Sequence, residues 1–114
     1  MTSADTGYLL NDDQIADFIV NGYHIVKPSF SKNFHSDVYT ALEGLPANPG
    51  DAVNQAVPAL DKIYTHPSVV GALSSLLGSD YTMAEHRHCH RNHPGTRSQM
   101  WHQDNLNIPM LEDG

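Results

Sequence analysis

The chain has 114 residues and a mass of 12.6 kDa, the length of one small domain, with a formal net charge of −7. Hydrophobic residues make up 39% of it, enough for one modest core, and no window approaches the ~18 apolar residues of a membrane-spanning helix. Six Lys and Arg are scattered among 13 acids, so the basic patch that phosphate neutralisation needs is missing and nucleic acid is excluded as a partner.

The first ten residues read as a loose tail without the basic start and apolar stretch of a secretory signal. A single cysteine, Cys89, allows no internal disulfide. It fits a reducing compartment, and a cytoplasmic location is expected. Asn11 stands three residues before Gln14, the capping-box spacing. Ile15, Phe18 and Ile19 follow as one apolar face, and Asn21-Gly22 is a stop signal, so a short amphipathic helix is expected over 12–20. Tyr23 to Lys27 is rich in strand formers and ends at Pro28, which predicts a strand. Ser31 is placed to cap a second helix, with Phe34, Val38 and Leu42 at four-residue spacing and Gly44 as its stop.

Residues 45–58 hold three prolines, Gly50 and two asparagines, and read as an irregular loop with little core potential. Leu60 to Tyr64 is expected to be a short extended piece. Pro67 fits the first turn of a third helix capped by Thr65 or His66, with Val69, Val70, Leu73, Leu76 and Leu77 as its apolar face and Gly78 at its end. From Tyr81 to Asn92 the pattern changes to period two, which predicts one long strand. Pro94-Gly95 marks a turn, and Gln99 to Ile108 is expected to be extended again.

Charge and histidine are both unevenly placed. Residues 1–80 sum to −6, residues 81–100 to +2 and residues 101–114 to −3. Arg87, Arg91 and Arg97 form the positive island, suited to a small anionic ligand or to a solvated face. Five of the eight histidines (His86, His88, His90, His93 and His102) fall within 17 residues. Imidazole is the commonest protein metal ligand and titrates near neutrality, so such a cluster calls for a chemical explanation. On a strand, His86, His88, His90 and Asn92 share one face, and Arg87, Cys89 and Arg91 the other. The histidine face suits the wall of a polar cavity, and Cys89 a small buried apolar position.

His102-Gln103-Asp104 puts an imidazole and a carboxylate on the same side of a strand, where they can share one ion. Two such ligands are part of the 2-His-1-carboxylate triad of non-haem Fe(II) sites. Spacing alone is weak, because chance supplies about 0.7 His-x-Asp occurrences in a chain of this composition. His35-Ser36-Asp37 has the same spacing, but it lies in the second predicted helix, where residues two apart do not face each other.

The run His86-Arg-His-Cys-His-Arg-Asn92, then Pro94-Gly95, then Gln99-Met-Trp101-His102-Gln103-Asp104 resembles the phytanoyl-CoA dioxygenase family of Fe(II)- and 2-oxoglutarate-dependent oxygenases. The helix and strand expected over Leu10 to Lys27 resemble the family's opening elements. The resemblance implies an α+β, mainly β fold, a double-stranded β-helix (jelly roll) with flanking N-terminal helices. It implies that His102 and Asp104 bind iron, that Asn92 and Gln99 contact 2-oxoglutarate, and that His88 and His90 line the substrate cavity. Trp101 is expected to pack against the barrel. Hydroxylation of a small organic substrate with O2 is the implied activity, since Asp104 supplies the carboxylate that halogenating relatives lack.

The family's distal histidine and 2-oxoglutarate-binding arginine lie downstream of His-x-Asp, and the ten residues after Asp104 contain neither. The expectation is therefore a single partial domain: a tail over 1–10, a helical and mixed region over 11–78, and the first barrel strands over 79–114. The fold would be an incomplete N-terminal half that is inactive by itself. The rival expectation is a non-enzymatic Zn or Ni module built from His86, His88, His90, His93 and Cys89, against which stands the lack of any paired Cys-x-x-Cys.

Overall fold

The computed structural model describes residues 5–87, 89–90, 92–98 and 100–101. Five α-helices and three 3₁₀ turns make up its regular structure, and no strand forms among the described residues.

Helix α1, Asp12–Asn21, starts as its sequence dictates. Asn11 Oδ1 accepts the Gln14 N–H and Gln14 Oε1 accepts the Asn11 N–H, both at 2.9 Å, closing a capping box that satisfies two otherwise unpaired donors. Asp12 and Asp13 place negative charge in the first turn, where the helix dipole favours it. Gly22 ends the helix at φ 79°, a left-handed position that glycine adopts without a Cβ penalty.

Helix α2, Phe34–Glu43, buries Phe34 and Val38 and half-buries Leu42, the expected four-residue stripe. Its start differs from the expectation. Asn33 occupies the cap position in a helical conformation with no side-chain bond, and Ser31 contributes only its carbonyl, which accepts the Phe34 N–H at 3.0 Å. The Phe30 ring stacks on Phe34 at a centroid distance of 4.2 Å, so packing takes the place of a polar cap in fixing how the chain enters α2.

The stretch expected to be an irregular loop is helical and supplies core. A 3₁₀ turn Gly50–Ala52 leads into α3, Val53–Ala56, and a second, Pro58–Leu60, into α4, Asp61–Tyr64. Val53 and Val57, four apart, are buried, Val57 to 2% exposure. Asn54 is buried beside them and its Nδ2 donates to Asp61 Oδ1 at 2.7 Å, joining α3 to α4. Pro58 sits in the first turn of its segment, where a missing N–H costs nothing. The extended piece expected over 60–64 is α4 instead.

Helix α5, Pro67–Leu77, has the expected Pro67 start and Gly78 end. His66 is its cap: Nδ1 accepts the Ser68 N–H at 3.2 Å, and Nε2 meets the Ser29 carbonyl oxygen at 3.2 Å. A ring that accepts at Nδ1 donates from Nε2, so one imidazole caps α5 and ties it to the segment before α2. Residues 5–10, expected to be a tail, are docked on α5. They form a 3₁₀ turn, Thr6–Tyr8, and the Leu10 N–H donates to Ser75 Oγ at 2.9 Å. Gly71 makes the docking possible, because a Cβ there would overlap the Tyr8 carbonyl and Tyr8 Cβ.

These helices overturn the jelly-roll expectation for the described residues. Tyr23 to Lys27 alternates exposed and half-buried positions as a strand would, but no neighbouring segment among the described residues pairs with it. Residues 81–87 and 89–90 form no ladder either. Strand propensity expresses fit to a pleated surface already present, and a strand's hydrogen bonds belong to its neighbour. Local sequence fixes neither. Among the described residues no helix is long and apolar enough to cross a membrane.

Candidate functional site

The histidine-rich segment lies across the end of α2 and the turn after it. Two side chains from the 45–52 stretch hold it. Asn48 Oδ1 accepts the Gly50 N–H at 2.9 Å, an Asx turn that orients the amide, and Asn48 Nδ2 donates to the Cys89 carbonyl at 2.9 Å. Asp51 Oδ1 accepts the Arg87 N–H at 2.8 Å and lies 3.5 Å from His86 Nδ1. The His86–Asp51 side chains are 75% and 59% exposed, so their pairing adds little to stability. Arg87 Nε donates to the Ala84 carbonyl at 3.3 Å, which turns that guanidinium back on its own chain.

Arg87 and Cys89 are half-buried, whereas His86, His90 and Asn92 are exposed. His88, the remaining histidine of the face expected to wall a cavity, lies outside the described residues. Beyond this segment, the Pro94-Gly95 turn forms as expected: the Thr96 N–H donates to the His93 carbonyl at 3.0 Å, and the His93 N–H donates to Thr96 Oγ1 at 3.1 Å.

A cleft of about 330 Å³ lies between this segment and α2, lined by Tyr39, Leu42, Glu43, Cys89, His90, Asn92 and His93. Tyr39, Leu42 and Glu43 share one helix face by their i, i+3, i+4 spacing. Of the sequence-stated site residues, His90 and Asn92 are brought together here. His88, Gln99, His102 and Asp104 lie outside the described residues. Trp101, expected to pack against a barrel, is 103% exposed.

Among the described residues no group of three or more His, Cys, Asp or Glu side chains is placed to hold a metal ion. Of the residues expected to form a Zn or Ni module, His88 lies outside the described residues, as do the expected iron ligands His102 and Asp104. His35 and Asp37 lie in α2 as expected. His35 stands edge-on to Phe30 and Phe34, with centroids 5.6 and 5.4 Å away, so its ring belongs to an aromatic cluster.

Tyr39, Glu43, Asn48 and Asp51 were not identified from sequence. For Asn48 a signal existed, since Asn-Pro-Gly is an Asx-turn sequence. For Tyr39 and Glu43 the α2 stripe was legible, but nothing local showed what would cross it.

Compared with known proteins, the chain matches no family model, no curated protein and no solved structure.

Proposed function

We infer that the chain contributes ligands to the iron site of an Fe(II)- and 2-oxoglutarate-dependent oxygenase, a hydroxylase acting on a small organic molecule. The observation that carries this reading is the string Asn92-x-Pro94-Gly95, then Gln99-x-Trp101-His102-x-Asp104. It resembles the ligand string of phytanoyl-CoA dioxygenases, and the reading rests on these residues independently of the fold. His102 and Asp104 would hold the metal, one neutral nitrogen and one anionic oxygen that leave coordination positions open. Bound iron would supply the activation of O2 coupled to decarboxylation of 2-oxoglutarate. Asn92 and Gln99 would orient the co-substrate through amide hydrogen bonds, and His88 and His90 would face the substrate. One cysteine in 114 residues favours a cytoplasmic setting.

The test is an anaerobic titration of the chain with Fe(II) and 2-oxoglutarate, following the visible charge-transfer absorption of an iron–keto-acid chelate. The expected result is a saturable band that disappears in His102→Ala and Asp104→Ala and persists in His35→Ala. A band indifferent to His102 would refute the ligand assignment.

A further inference from the structure

Asn21 is followed by Gly22, the single Asn-Gly pair in the sequence. Asparagine is among the thermolabile residues, and a following glycine hinders closure of an imide ring least, because it carries no Cβ. Asn21 is exposed and is the last residue of α1. Its neighbours Ile19 and Val20 are 74% and 82% exposed. Little packing covers this turn, and sparsely packed helix ends open at low cost. The turn is held by the Gly22 N–H, which donates to the Phe18 carbonyl at 2.8 Å, with Gly22 at φ 79°.

We propose that Asn21 is a site of spontaneous deamidation gated by the Phe18–Gly22 hydrogen bond. The Gly22 nitrogen loses its proton to hydroxide and attacks Asn21 Cγ. A Cγ–N bond forms, the Cγ–Nδ2 bond breaks, and Nδ2 leaves as ammonia with a proton taken from water. Water then opens the imide at one of its two carbonyls, giving aspartate or isoaspartate at position 21. In α1 the nitrogen that must attack is the one donating to Phe18, and ring closure rotates the Asn21–Gly22 peptide plane away from the helical ψ. The reaction therefore proceeds from the open turn. Its product is a carboxylate at the negative end of the helix dipole, where the last turn holds no basic residue and Asp17 lies four residues back. Both terms are unfavourable, so the modification loosens the end of α1. The site is independent of the oxygenase reading.

The test incubates the full chain at neutral pH, folded and in guanidinium chloride, and follows acid formation at position 21 by peptide mass spectrometry. Hydrogen exchange of the folded chain gives the protection of the Gly22 N–H, whose release both processes require. Product is expected at position 21 in the denatured chain. In the folded chain it is expected to form about fivefold more slowly or slower still, fivefold being the factor that one net backbone hydrogen bond supplies. That slowing is expected to equal the Gly22 protection. Asn21→Asp is expected to lower the protection roughly two- to tenfold. No product in the denatured chain, equal rates in the two conditions, or a slowing that differs from the Gly22 protection would overturn the gated site. Unchanged protection in Asn21→Asp would overturn the loosening. The comparisons on the unaltered chain need no variant to fold.

Discussion

At Gly71 one hydrogen atom decides whether the amino-terminal turn can dock. Alanine there would gain about 1 kcal/mol of helix propensity. The overlap of its methyl group with Tyr8 costs about 1–3 kcal/mol, as overpacking does, and that term wins. Gly71→Ala is expected to free residues 5–10 from α5, seen as faster hydrogen exchange at the Leu10 amide, whose acceptor is Ser75 Oγ. Unchanged exchange would show that the docking tolerates a side chain. Asn48 acts at the same scale on the other side of the molecule. Its Nδ2 holds the Cys89 carbonyl, and Cys89 is half-buried. Asn48→Ala is expected to speed labelling of the Cys89 thiol severalfold. An unaltered rate would mean that the bond does not restrain the segment.

Among the elements, the ends of α1 were readable, while the start of α2 and the tertiary roles were not. Asn11, Gln14 and Gly22 specify α1 because caps and stops act over three or four residues, and Asn11→Ala is expected to cost about 1 kcal/mol of stability by urea denaturation. Pro67 was legible for the same reason, with the cap left open between Thr65 and His66, and the structure places His66 there. Val53, Asn54 and Val57 were not legible. Their helical spacing is interrupted by prolines within a few residues on either side, and their burial comes from α4, which no local pattern announces. The strand over Tyr23 to Lys27 failed in the opposite direction. Its alternation was real, with Tyr23 and Ile25 64% and 66% exposed, but a strand is completed by its partner. The candidate site divided likewise. The histidine-rich string could be read directly, while the acidic and aromatic wall that α2 sets against it depended on packing.

The described part of the molecule has a small core of Phe34, Val38, Val53, Val57 and Ala72. Far-UV circular dichroism is expected to be dominated by helix, and a spectrum dominated by strand would contradict the architecture. Trp101, the single tryptophan, is fully exposed, and it immediately precedes the proposed ligand pair. This adjacency gives the most direct test of where a metal binds. In paramagnetic NMR with sub-stoichiometric Mn(II), resonances of Met100 and the Trp101 indole are expected to broaden first, and His102→Ala is expected to abolish the effect. Broadening that begins instead at His86, His90 and His93 and survives His102→Ala would contradict the assignment of His102 and Asp104 as the metal ligands.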